Sequence, residues 1–94
     1  MSISLNSHLM IPEEVLSTTV GDETVLLNLR TGTYFGLDVV GTRFFQLLSE
    51  AGCLSTVHRM MMDEFDVSAE RLEHDLLHLS EQLATKGLLS IGEG

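Results

Sequence analysis

The spacing of apolar residues changes once along this chain, close to residue 38. Ahead of that point they gather in short runs of β type. Val15–Val20, VLSTTV, is rich in β-branched residues and reads as a first strand. Gly21-Asp22-Glu23 reads as a turn. Thr24–Leu29 is almost continuously apolar, and Thr33–Leu37 carries Tyr34 and Phe35, which suit a pleated, half-buried surface. Between them Arg30-Thr31-Gly32 is a tight turn, with glycine where a positive φ costs no Cβ clash. The three runs predict an antiparallel meander. Upstream, Pro12 lacks a donor N–H and suits an edge or turn, and residues 1–10 are polar and mixed, expected to be loose unless a partner orders them.

Beyond Asp38 the spacing becomes helical. The Asp38 carboxylate can accept the free N–H groups of a first helical turn, and Val40, Phe44, Leu47 and Leu48 then share one face up to Ala51-Gly52. Ser55 is the expected cap of a second helix over Thr56–Phe65, with Val57, Met60, Met61 and Phe65 inward. Ser68 caps a third and longest helix, with Glu70 at its positive end and Leu72, Leu76, Leu79 and Leu83 in a stripe. Lys86 sits near its negative end, Gly87 is the expected residue past it, and Leu88–Ile91 adds a short final strand.

The order is therefore three short antiparallel strands followed by three helices, an α+β domain of winged helix-turn-helix-like type spanning residues 1–94. Three short strands cannot bury an apolar face alone, so the helices must cover one side. Nothing in the pattern covers the outer edge of Thr33–Leu37, whose unpaired N–H and C=O groups could accept an extended chain.

Charge narrows the partners. Fourteen acids against five Lys and Arg give a net charge of −9, which repels phosphate backbones and anionic membrane and favours neutral or basic partners. A helix-turn-helix reader of DNA would place Ser68–Lys86 in the major groove. That segment offers Arg71 and Lys86 against Glu70, Glu73, Asp75 and Glu81, so a DNA-binding regulator is disfavoured and no nucleic-acid partner is expected. One cysteine, Cys53, excludes an internal disulfide and fits a reducing cytoplasm; the N-terminal MSISLNSHLM lacks a signal-peptide pattern, and no apolar run approaches the ~20 residues of a membrane span.

Candidate chemistry is sparse. His74 and His78 share a helix face at i, i+4, as zinc ligands do in H-E-x-x-H. Here Asp75 follows the first histidine and no third ligand is evident, so a solvated face is the better reading and no metal or cofactor is expected. Cys53 has no basic neighbour to activate it, and Met60-Met61-Met62 must be partly core by helix geometry. No paired-carboxylate site, phosphate loop or Ser-His-Asp context is present, and the chain is not expected to be an enzyme.

The ordered set Leu27-Asn28-Leu29, Gly32-x-Tyr34-x-x-Leu37, Gly41, Asp75 and Gly87-Leu88-Leu89 resembles the PqqD-like family of peptide-recognition domains over residues 15–91. Its hairpin LNLRTGTYFGLD is more similar to the stand-alone leader-binding proteins of lasso-peptide pathways than to the quinone-cofactor pathway protein. The resemblance implies a domain that binds the leader of a ribosomally made precursor peptide as an added strand and presents it to a modifying enzyme, a leader peptidase or cyclase. The alternative is the same chaperone role in a quinone-cofactor or radical-enzyme pathway. The resemblance places the peptide against Tyr34, Phe35, Gly36 and Leu37 of the strand and Arg71, Leu72, Asp75, Leu79 and Gln82 of the third helix. Strand addition fits those residue types, because backbone pairing supplies affinity and alternate side-chain pockets supply specificity.

Overall fold

Side chains that alternate between core and solvent set the layers of this fold. In the computed structural model, which describes residues 3–92, Thr24, Leu26 and Asn28 are buried, while Glu23 before them and Val25 between them are exposed and Leu27 is half-buried. That alternation belongs to β3 (Glu23–Asn28), the middle strand of a sheet ordered β2-β3-β4, with β2 at Val15–Val20 and β4 at Tyr34–Leu37. All pairings are antiparallel, with Leu16 opposite Leu27 and Leu26 opposite Phe35. Both connections turn on a glycine of positive φ, Gly21 (64°) and Gly32 (77°), where a side chain would be strained. Helices α1 (Val39–Ala51), α2 (Leu54–Glu64) and α3 (Ala69–Thr85) follow and cover the inner sheet face, giving the expected α+β, winged helix-turn-helix-like arrangement.

The helix boundaries follow local chemistry at most ends. The Gly41 N–H donates to Asp38 Oδ1 at 2.8 Å at the start of α1, and the Arg71 N–H donates to Ser68 Oγ at 3.2 Å at the start of α3. Gly52 and Gly87, both at φ 75°, follow α1 and α3 as C-terminal glycines do. The exception is α2, which begins at Leu54 after Cys53 and not at Thr56 after Ser55. The cause is remote in sequence. The Leu54 N–H donates to the Ser7 carbonyl and Cys53 bridges to His8, so the N-terminal segment holds Cys53 extended and the helix starts directly after it. Ser55 lies inside the first turn with its hydroxyl 3.1 Å from Cys53 Sγ, and this contact draws the thiol below its ordinary pKa.

That segment is the main departure from the sequence expectation. Residues 1 and 2 lie outside the described residues, but within residues 3–10 two side chains reach the core and a strand forms where a loose arm was expected. Strand β1 (His8–Met10) pairs antiparallel with β5 (Ser90–Gly92), and Ile3 and Leu9 are buried. The core they join is formed by Leu26, Phe44, Leu47, Val57, Met61 and Leu76 together with Leu83 and Leu88. Each such side chain contributes about 1.5–3 kcal/mol by leaving water. Of Met60 and Met61, both expected inward, Met61 is buried and Met60 is exposed. Arg43 on α1 grips Glu64 at the end of α2 in a two-pronged pair, 2.7 Å from Nε to Oε1 and 2.8 Å from Nη2 to Oε2. The hydrogen bond from Arg43 holds the Glu64 carboxyl below the usual carboxylate range.

Candidate functional site

Hydrogen-bond alternation along β4 defines its free groups. The Asn28 N–H donates to the Thr33 carbonyl at 2.8 Å, so Thr33, Phe35 and Leu37 bond inward to β3. The N–H and C=O of Tyr34 and Gly36 therefore point away from the sheet along its open edge. The side chains alternate in the other sense. Phe35 and Leu37 face the helices, while Tyr34 and Gly36 lie on the outer face, where Tyr34 is 73% exposed. A Cβ built on Gly36 meets nothing within 4 Å, so the outer sheet face at that position is clear.

This edge runs along a groove of about 450 Å³. One wall is the end of β4 and the start of α1: Phe35, Gly36, Leu37, Asp38, Val40 and Gly41. The other is α3, through Asp75, Leu76 and Leu79. Apolar side chains dominate the lining, with the Asp38 and Asp75 carboxylates on opposite walls. One Asp38 oxygen is committed to the α1 cap. Asp75 lies 4.0 Å from Arg71 Nε, an exposed pair of little energetic weight. The Lys86 ammonium lies 6.0 Å from the centroid of the Phe35 ring, within cation–π range.

Asn28 fixes the distance between the two walls. It is 1% exposed and donates from Nδ2 to the Gly87 carbonyl at 2.9 Å, just past α3. Its Oδ1 accepts the Arg30 N–H at 2.9 Å and the Thr31 N–H at 3.1 Å. One side chain thus shapes the turn before β4 and ties it to the end of α3. An asparagine before a turn signals an Asx turn, but nothing local signals a bond reaching 59 residues ahead.

The residues expected at a site divide accordingly. Phe35, Gly36, Leu37, Asp75 and Leu79 come together in the groove. Tyr34 adjoins it through backbone only, since its side chain lies on the outer face. Leu72 is 3% exposed and belongs to the core. Arg71 is exposed beside Asp75, and Gln82 borders a separate shallow depression with His78, Glu81, Thr85 and Lys86. Asp38, Val40, Gly41 and Leu76 complete the groove and were absent from the expected set. The sequence pattern marks Asp38 as a helix cap and Val40 and Leu76 as core, and Gly41 enters it only through the family resemblance. Among the described residues no group of three or more His, Cys, Asp or Glu is placed to hold a metal ion, and no helix is long and apolar enough to cross a membrane.

Fold and groove together define a small winged-helix-like domain with an open sheet edge beside its third helix. The chain belongs to the PqqD family: the family profile described as "Coenzyme PQQ synthesis protein D (PqqD)" matches residues 23–89. Among solved structures it is similar to "TbiB1 in Complex with the TbiA(beta) Leader Peptide", with 40% identity, a TM-score of 0.81, and coverage of 89% of this chain and 96% of that one. A second structure, "Lasso peptide synthetase B1 complexed with the leader peptide", shares the fold at 22% identity and a TM-score of 0.79, covering 88% of this chain and 98% of that one. Among curated proteins none matches significantly.

Proposed function

We propose that this chain binds the leader segment of a ribosomally synthesised precursor peptide and delivers it to modifying enzymes of a lasso-type pathway, a leader peptidase or a cyclase. It acts in the cytoplasm as a binding protein and not as an enzyme. The leader adds as a fourth strand outside β4, bonding to the outward N–H and C=O groups of Tyr34 and Gly36. Alternate leader side chains enter the groove between β4 and α3. The observation that carries this reading is the open backbone of Tyr34 and Gly36 beside a groove lined by Phe35, Leu37, Leu76 and Leu79. It is supported by the relative that is 40% identical over 89% of this chain and is described in complex with a leader peptide.

The charge of α3 weighs against the nucleic-acid reading. Glu70, Glu73, Asp75 and Glu81 outnumber Arg71 and Lys86 on the helix that would have to enter DNA.

An amide-resolved NMR titration with the leader of the precursor peptide encoded beside this gene tests the proposal. Shifts should concentrate on Thr33–Gly41 and Asp75–Leu79 and saturate at micromolar peptide or below. Shifts confined to the exposed α2–α3 surface, or produced by duplex DNA and not by the leader, would overturn it.

A further inference from the structure

The groove has electrically different ends, and the direction of a bound strand turns that difference into a sequence requirement. β4 runs from the turn at Thr33 to Leu37, and α3 runs the opposite way beside it. Asp75 lies by Leu37 and Asp38, whereas Gly87 past the end of α3 is tied to Asn28 at the turn. Two carboxylates from different elements, Asp38 and Asp75, therefore stand at the Leu37 end. Just past the opposite end, in the adjoining depression with Glu81 and Gln82, stands Lys86, its ammonium 6.0 Å from the centroid of the Phe35 ring that lines the groove. Among the described residues Arg30, Arg43 and Arg71 have acidic partners, while Arg59 on α2 and Lys86 are in no ion pair, and of these two Lys86 is the one beside a groove residue. In a chain of net charge −9, a cation standing just past one end of an acidic and apolar groove is a point of discrimination.

Both existing pairings in this sheet are antiparallel, and an antiparallel fourth strand would exchange hydrogen bonds with Gly36 and then with Tyr34. Such a strand enters at the Asp38 end and leaves at the Lys86 end. From Asp38 back to Phe35 is three residues, about 10 Å of extended chain at ~3.4 Å per residue, so the two charged ends address side chains roughly three to four positions apart.

We infer that the groove reads charge order as well as shape: Lys86 is a specificity-determining residue that selects an acidic side chain in the C-terminal half of the bound segment, while Asp38 and Asp75 select a basic or hydrogen-bond-donating one in its N-terminal half. This rests on the leader-binding reading above and adds a polarity to it. A segment of reversed charge order meets like charges at both ends, which rejects it without altering the backbone pairing that any sequence can make.

The test uses the full chain and the fluorescein-labelled leader encoded beside this gene, read by fluorescence anisotropy at low and high salt. Exposed ion pairs are weak, so Lys86→Gln should loosen binding about twofold and Lys86→Glu, which turns attraction into repulsion, about three- to tenfold at low salt. Both losses should shrink as salt screens the pair. Replacing the leader's acidic residue with lysine should weaken binding to the wild type and restore binding to Lys86→Glu. A merely structural role for Lys86 would not produce that rescue. The inference is overturned if Lys86→Glu binds the native leader as tightly as the wild type, or if the swapped leader gains nothing from the swapped protein. A wild type that binds no leader removes the leader-binding reading as well, so the two failures are distinct.

Discussion

Replacing Asn28 with alanine deletes one side chain that holds three hydrogen bonds, and the expected cost can be worked out bond by bond. The Arg30 and Thr31 N–H groups that donate to Oδ1 belong to exposed turn residues, so water takes over as acceptor and each loss costs about 0.5 kcal/mol. The bond from Nδ2 to the Gly87 carbonyl is different. Asn28 is 1% exposed and Leu88 beside Gly87 is fully buried, so the carbonyl loses its partner where water has poor access, at about 1–2 kcal/mol. The sum is about 2–3 kcal/mol. For a chain of this size that lowers Tm by about 8–24 °C, measurable by circular dichroism, and the free-energy loss itself by urea titration. Asn28→Asp separates the two functions. It keeps the acceptor for the turn but sets a carboxylate against the Gly87 carbonyl, so it should be no more stable than the alanine variant. Peptide affinity at 5–10 °C, where both variants remain folded, should also fall, because the tether sets the separation of β4 and α3. Loss of less than about 0.5 kcal/mol in Asn28→Ala, or wild-type stability in Asn28→Asp, would refute the reasoning.

Proline at two adjacent positions of β4 distinguishes its outward from its inward N–H groups. Gly36→Pro should abolish most leader binding while costing under about 1 kcal/mol, because it removes an edge donor; Phe35→Pro should cost about 3 kcal/mol or more, because it breaks the ladder to β3. Peptide titration beside thermal melts reads both, and equal damage from the two variants would contradict the assignment of the edge. Glu64 has its folded pKa depressed by Arg43, so the stability it adds is present above the ordinary carboxylate range and lost as pH falls through the folded value. Glu64→Gln should therefore flatten the acid limb of Tm against pH and leave the profile above pH ~6 parallel to wild type. The Ser80 hydroxyl is fully buried without a hydrogen-bond partner, so Ser80→Ala should raise stability by about 1 kcal/mol, seen as a Tm gain of several degrees.

Features that depend on neighbours in sequence were legible without the structure. Asp38 and Ser68 cap their helices as read, Gly87 follows α3 at positive φ, and the hairpin turn falls at Arg30–Gly32, because each of these signals acts within four residues. The features that were missed act over long separations. Leu9 looks like one apolar residue in a polar arm until Ile91 is placed opposite it, and Cys53 becomes the residue before α2 only through His8 and Ser7. The groove was half legible for the same reason. Leu79 lies on the periodic stripe of α3 and Asp75 comes from the family resemblance, whereas the contribution of Val40 and Gly41 depends on how α1 leaves β4. Leu72 shows the limit of periodicity, which finds the inward face of α3 but does not separate its core end from the part that lines the groove.

The pairing of β1 with β5 also orders events in time. Ser90 and Met10 meet across 80 residues, nearly the whole chain, whereas β2, β3 and β4 are joined by tight turns and can pair early. Loop-closure entropy grows only with the logarithm of length, so the distant seam is no great thermodynamic burden, but it has little reason to form before the body it spans. Folding then runs from the hairpin and helices outward, and the seam zips last. Read in reverse, it is the first part to open in native-state hydrogen exchange. A transient opening there would unseat Leu9 from the core while leaving β4, α3 and the groove between them assembled.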